Sequence, residues 1–412
     1  MTPFSHPYSV AIACGGTGGH LFPGLAIAEK LARAKTEVTL IISQKEVDQQ
    51  GISRTNECQI LALPAVGFTR GKAIAFVRGL RESYSITKRL FRHHPPDAVI
   101  AMGGFTSVAP ILAGRAAGAR TFLHESNAIP GRANRWLSRF VDQAFVGFPA
   151  AAARIKHCPV RVSGTPVRSQ FRERDPASCR IDLGLDPSRP MILVVGGSQG
   201  ACGINQMVAR CLPALSRLHP EWQWFHLTGK KDAAAMKTAY AKLGLSAVVH
   251  SFFDEVELAL GGATLVISRA GASSLAELAA MRVPALLIPY PAATDNHQWF
   301  NARAYANTGA AQVLEESGAT EERLIGLLQD LAHNQILRQK MQSALARWQR
   351  SDAADDISRQ MLEMITTVTE RFSSSGVARE RPSSIRPIAM ETNEASVPRS
   401  GHRAARAQQA AR

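Results

Sequence analysis

Hydrophobic and polar positions along this 412-residue chain follow two alternating periods. Short unbroken apolar runs read as strands buried on both faces: "YSVAIAC" (8–14), "EVTLIIS" (37–43), "DAVIAM" (97–102), "ARTFLH" (119–124) and "DQAFVGF" (142–148). Helix-period stretches lie between them, at 22–34 and roughly 73–93. Repeated strand–helix units predict a parallel sheet covered by helices on both faces. The pattern restarts at "MILVVGG" (191–197), with further strands expected at 222–227, 246–250, 263–268 and 284–289. Helices at 319–330 and 334–370 close the ordered part. The stretch "RERDPASCRIDLGLDPSRP" is polar and holds three prolines, so two α/β halves are expected, with a hinge near 164–170.

From residue 372 the chain turns rich in Ser, Pro, Arg and Ala, with few large apolar side chains, which predicts disorder over 372–412. The expected organisation is 1–165, 166–350, a helix at 351–371 packing back on the first half, and the tail.

Charge narrows the partners. Lys and Arg number 48 against 33 acids, a formal +15, of which the tail from Arg371 carries +5. A basic body suits an anionic partner such as a nucleotide, nucleic acid or an acidic membrane. No interleaving of basic and aromatic residues points to nucleic acid, so no nucleic-acid partner is expected. The start "MTPFSHPYSV" lacks the basic-then-apolar pattern of a secretory leader, and no run reaches the roughly 20 apolar residues that span a bilayer. The six Cys show neither CxxC pairing nor clustering with His, and read as reduced cytosolic thiols.

The candidate chemistry lies where strands end. "CGGTGGHLFPG" (14–24) follows a strand and opens a helix, a place where bare backbone and unpaired N–H groups suit a phosphate or sugar. A ligand-free turn is the alternative. Gly16 and Gly18 fit the dinucleotide fingerprint, but its third glycine position is Leu21. Ser43 ends the second strand where a ribose-binding acid belongs, so a nicotinamide cofactor is not expected. No GxxxxGK[ST] occurs. "GGSQGACGIN" (196–205) and "SRAGASSLAEL" (268–278) repeat the strand–glycine–helix logic. Glu277 lies one turn into its helix, able to accept from ribose hydroxyls or simply to complement the helix dipole. In "PYPAATDNHQWFNA" (289–302), Asp295 reads as an N-cap, with His297 and Gln298 in the first turn.

In order along the chain, "GGTGGHLFPGLAIA", "AMGGFTSVAP", "HESNAIPGRANR", "VSGTPVR", "VVGGSQGACGIN", "ISRAGASSLAEL" and "PYPAATDNHQWFNA" resemble the motifs of the MurG glycosyltransferases of peptidoglycan synthesis. The resemblance spans about 8–360; Ser126 and Thr165 stand where that family usually has Gln and Asn. It implies a GT-B fold, two Rossmann-like domains facing a cleft. It implies inverting transfer of N-acetylglucosamine from UDP-N-acetylglucosamine to the 4-hydroxyl of lipid I, giving lipid II. A UDP-N-acetylglucosamine epimerase, or another GT-B transferase using the same donor, is the alternative. No Asp-x-Asp occurs, so neither an essential metal nor a cofactor is expected.

The same resemblance implies roles. Thr17, Gly18, Gly19, Asn127, Arg168, Ser198, Gln199, Phe253, Ala272, Ser273, Ser274, Leu275, Glu277, His297 and Gln298 would bind the donor. His20 would be the general base or position its loop, with His124 and Glu125 as the alternative catalytic groups. A polyprenyl acceptor implies work on the anionic cytoplasmic face of the inner membrane, as a peripheral protein, beside other cell-wall and division proteins. Phe76, Val77, Leu80 and Tyr84 share one face of the 73–93 helix with Lys and Arg around them, which suits either membrane contact or packing on the sheet.

Overall fold

The computed structural model describes residues 8–45, 58–64, 73–197 and 200–374. Met1–Val368 forms one compact unit; of the second, Thr369–Arg412, only the end of the last helix is described.

The first half carries strands β1 (Ser9–Ala13), β2 (Glu37–Ser43), β3 (Gln59–Leu63), β4 (Ala98–Ala101), β5 (Arg120–Glu125), β6 (Gln143–Val146) and β7 (Val160–Val162). They form a parallel sheet in the order β3-β2-β1-β4-β5-β6-β7. Its helices are α1 (Gly18–Arg33), α2 (Ala73–His93), α3 (Val108–Ala116), α4 (Arg132–Leu137) and α5 (Pro149–Ala152). After α6 (Pro176–Asp182) come β8 (Met191–Val195), β9 (Gln223–Leu227), β10 (Ala247–His250), β11 (Leu265–Ser268), β12 (Ala285–Leu287) and β13 (Gln312–Val313). These are parallel too, in the order β10-β9-β8-β11-β12-β13. The accompanying helices are α7 (Cys202–Leu218), α8 (Ala233–Lys242), α9 (Val256–Gly262), α10 (Ala272–Met281), α11 (His297–Asn307), α12 (Glu321–His333), α13 (Gln335–Trp348) and α14 (Ala353–Ser374).

The apolar runs become central strands because both faces are covered. Val10, Ile12 and Ile100 pack on one side of the first sheet, and Ala11, Val99 and Leu123 on the other. Caps punctuate the helices where the sequence supplies them. Asp175 accepts from the Ser178 N–H ahead of Pro176 at α6, and Thr320 accepts from the Arg323 N–H at α12. Ile357, Met361 and Ile365 of α14 lie in the cluster built by Val10, Ile12 and Leu25, on the first sheet. That helix runs to Ser374, past the start of disorder expected at 372; the rest of the tail lies outside the described residues.

Three strands escaped the periodicity: β3, the exposed edge β7 and the two-residue β13. Each lies at a sheet edge, where one neighbour is missing and the apolar signal is short. The first helix also begins four residues earlier than expected, so Gly18, Gly19 and His20 form its first turn. Pro23 is accommodated inside it.

Candidate active site

Parallel strands deliver their carboxyl ends to one edge of each sheet, and two glycine loops of the first half meet there. The His20 ring lies against the backbone of Gly103 and Gly104, after β4. Both glycines have positive φ, and a Cβ on Gly103 would stand 2.8 Å from the imidazole. The "MGG" sequence is therefore needed as room for His20. Thr17 Oγ1 lies 3.2 Å from His20 Nδ1, and the ring is partly open to solvent.

His124 and Glu125 end β5, but they face inward. His124 is fully buried; its Nε2–H donates to Gly164 O at 3.0 Å and Nδ1 lies 3.3 Å from Ser126 Oγ. Burial lowers its pKa to about 4, so the ring is a neutral tie between β5 and Gly164. Glu125 accepts from Asn127 N, Asn127 Nδ2, Gly131 N and Asn134 Nδ2, all at 2.8–3.1 Å. Burial pushes its pKa up, and these donors oppose the push. It organises the 125–134 turn. Both residues, expected as alternative catalytic groups, are enclosed: His124 spends its nitrogens on Gly164 and Ser126, and Glu125 spends its oxygens on the 125–134 turn.

Among the described residues, α10, α11 and the turn before α11 make polar contacts with the first half at this edge, three of which shape the site. Pro23 has no N–H, so the carbonyl four residues back, Gly19 O, has no helical donor. Ser273 Oγ, in the first turn of α10, donates to it at 3.1 Å. The positive ends of α1 and α10 therefore meet. Next, Asn301 of α11 is fully buried and uses its whole carboxamide: Oδ1 accepts from Ala128 N at 2.8 Å, and Nδ2 donates to Asn127 Oδ1 at 3.0 Å and Ala270 O at 3.1 Å. Sequence reading passed over Asn301; only its place in the "NHQWFNA" helix offered a signal. Third, Asp295 pairs with Arg132 and Arg135. Asp295 is not the expected N-cap: it has φ 51°, Asn296 precedes α11, and the carboxylate faces the other half instead.

Around this junction lie most of the expected donor residues. Arg168 stacks over the Phe22 ring at 4.5 Å and lies 3.9 Å from Glu277 Oε1. The Glu277 side chain is 15 % exposed, and burial raises its pKa to about 7 although Arg168 opposes this. Ala272 and Leu275 are buried in α10, with Ser274 half-buried beside them. Gln298 Oε1 accepts from Ala270 N and Tyr290 N, joining the loops after β11 and β12. His297 Nδ1 lies 2.8 Å from Thr294 O. Phe253 packs edge-on against Phe225 and stacks on His250. Ser198 and Gln199 lie outside the described residues.

On α2, the apolar residues divide between packing inward and facing out. Phe76 packs edge-on against Phe105 at 5.2 Å, and Leu80 and Tyr84 pack on the core. Val77 is exposed, together with Ile74 at 87 %.

Residues 10–146 match the glycosyltransferase family 28 N-terminal domain, and residues 191–357 match its C-terminal domain. The UDP-N-acetylglucosamine--N-acetylmuramyl-(pentapeptide) pyrophosphoryl-undecaprenol N-acetylglucosamine transferase of Anaeromyxobacter dehalogenans strain 2CP-1 is 35% identical over 369 residues, 86% of this chain and 92% of that protein. The chain belongs to glycosyltransferase family 28, in its MurG branch. The transferase of the same name from Synechocystis is 36% identical over 324 residues, 78% of this chain and 87% of that one. The crystal structure of Acinetobacter baumannii MurG aligns with a TM-score of 0.68 and 27% identity, covering 87% of this chain and all of that one. A putative UDP-N-acetylglucosamine 2-epimerase from Listeria monocytogenes aligns with a TM-score of 0.62 at 16% identity, covering 93% of this chain and all of that one, and shares the fold. The two parallel sheets of this MurG-family chain are thus the GT-B arrangement.

Two outcomes follow from the geometry. Asn301→Ala strands the Ala128 N–H, Asn127 Oδ1 and Ala270 O in a buried site. Denaturant unfolding should show a loss of about 1–3 kcal/mol for each group left unpaired. Glu277 holds its proton more tightly folded than unfolded, so its contribution is fully present below pH 4.5 and lost as pH rises through about 7. Urea midpoints from pH 4.5 to 8 should therefore fall for the native protein relative to Glu277→Gln; parallel profiles would contradict the assignment.

Proposed function

We propose that this chain transfers N-acetylglucosamine from UDP-N-acetylglucosamine to the 4-hydroxyl of the N-acetylmuramoyl pentapeptide on undecaprenyl pyrophosphate, lipid I, giving lipid II. The observation that carries this reading is the meeting of the α1 and α10 N-termini, with His20 in the first turn of α1. Two positive helix ends brought together repel, and a diphosphate between them relieves the repulsion.

In this reading the second half binds the donor. Glu277 accepts from the ribose hydroxyls, Ser273 and Ser274 approach the diphosphate with Ser198, Gln199 and Arg168, and Ala272 and Leu275 line its path. Phe253 lies by the uracil, and His297 and Gln298 serve the sugar. Thr17, Gly18, Gly19 and Asn127 complete the site from the acceptor half. His20 takes the hydroxyl proton as the acceptor oxygen attacks the anomeric carbon, and UDP leaves on the opposite side. The helix ends stabilise the charge that develops on the leaving diphosphate.

Attachment is peripheral, on the cytoplasmic face of the inner membrane, through the acceptor half. Among the described residues no helix is long and apolar enough to cross a membrane. Ile74 and Val77 stand exposed on α2, and Arg78, Arg81, Lys88, Arg89 and Arg92 are exposed along the same helix. An apolar tip among cations suits an anionic bilayer.

Radiolabelled UDP-N-acetylglucosamine with a lipid I analogue should give label in the lipid product; conversion of the nucleotide sugar without acceptor would favour the epimerase. In the same assay His20→Ala should lower turnover by about 10²–10⁴-fold, with donor affinity nearly unchanged. Near-normal turnover would remove His20 from proton transfer. The double variant Ile74→Asp, Val77→Asp should lose flotation with anionic liposomes while keeping its circular dichroism; unchanged flotation would place the membrane contact elsewhere.

A further inference from the structure

Away from the cleft, α7 and α12 end side by side and present a second set of convergent groups. His219 follows the last residue of α7 and caps it. The segment His219–Pro220–Glu221–Trp222 is a tight turn, closed by Trp222 N donating to His219 O at 3.1 Å. It folds Glu221 back, so that its Oε1 lies 3.3 Å from His219 Nδ1. His333 is the last residue of α12, and its Nε2 lies 3.2 Å from the same His219 Nδ1. The three atoms all lie within 4.8 Å of one another.

We propose that His219 Nδ1, His333 Nε2 and Glu221 Oε1 form a binding site for one divalent cation of the zinc class, with water as the fourth ligand. Spacing is the first support. Ligands about 2.0–2.1 Å from a tetrahedral zinc stand roughly 3.3–3.4 Å apart, close to the 3.3 Å and 3.2 Å that His219 Nδ1 keeps from Glu221 Oε1 and His333 Nε2. Two imidazoles with a carboxylate are also the donor set this metal class takes with an open position.

Orientation is the second support. The His219 ring is buried and stacks on Trp222 at 4.2 Å, 10° from parallel, so it is held in place before any ion arrives. Its far nitrogen, Nε2, lies 3.0 Å from Gln329 Nε2, one turn before His333 on α12. With the amide turned over, Gln329 Oε1 accepts from Nε2–H and leaves the Nδ1 lone pair toward the ion, the part a carboxylate or backbone carbonyl plays behind most metal-bound histidines. His333 and Glu221 are exposed, so the ion has a way in.

The field is the third support. Two helix C-termini meet here, where carbonyl ends favour positive charge. These helix ends and the turn before β9 lie at the amino edge of the parallel sheet, opposite the cleft. A bound ion would clip α7 to α12 across 114 positions of sequence, with its open position facing solvent. It stands apart from the metal-free transfer expected at the cleft.

The test uses the full chain without an affinity tag, stripped with chelator and dialysed. Calorimetric titration with Zn²⁺ should show one strong site per chain and a thermal midpoint that rises with Zn²⁺. His333→Ala and Glu221→Gln, both at exposed positions, should each weaken binding at least tenfold with unchanged circular dichroism. Gln329→Ala should weaken it by about 10–100-fold. Co²⁺ in place of Zn²⁺ should give visible d–d bands with no thiolate charge-transfer band, setting the site apart from the six cysteines. Absence of Zn²⁺ binding, equal affinity in His333→Ala, or a thiolate band would overturn the proposal.

Discussion

Every strand in both sheets runs parallel to its neighbours, and the rest of the molecule depends on that. A parallel connection must cross back over the sheet, so each helix that follows a strand starts at the carboxyl edge and ends at the amino edge. Unpaired N–H groups then collect on one side of a sheet and unpaired carbonyls on the other. In this chain α1 and α10 bring their amino ends together across the two halves, while α7 and α12 bring their carboxyl ends together on the far side of the second. The electrostatic character of both places is set by topology before any charged side chain is considered.

Side chains then make the cleft specific. His20 is packed on glycines from a separate loop, Asn127 is oriented by Glu125, and Asn301 joins that loop to the backbone at Ala270. Apolar contact backs these bonds. Phe148 of the first half stands 6.0 Å from Tyr305 and 5.3 Å from Trp348, and the last two stack at 4.3 Å. The polar groups of the junction therefore sit on a firm apolar base.

Much of this was legible in the sequence. Short, β-branched apolar runs that end at glycines, such as "MILVV", read as strands covered on both sides, and the glycine clusters after them mark strand ends that need backbone freedom. The rest was illegible for physical reasons. His124 and Glu125 look like cleft chemistry in a linear string, yet their loop partners, from Asn127 to Gly164, turn them inward. Phe76 and Val77 are adjacent in sequence and differ in fate because only one meets Phe105. Asn301 is an ordinary helical asparagine until two other loops arrive at its amide. His219 and His333 are brought together only by the packing of α7 and α12. Pairings across a hundred residues leave no periodic trace.

The missing N–H of Pro23 has an energetic meaning. A carbonyl without a helical donor must be served by something from outside, either water or the Ser273 hydroxyl. Exchanging one for the other nets only about 0.5–1.5 kcal/mol. The contact orients the two helices where they meet and adds little to the energy that holds them together. Proline here makes the junction directional: it leaves one carbonyl of α1 open to a donor from the other half.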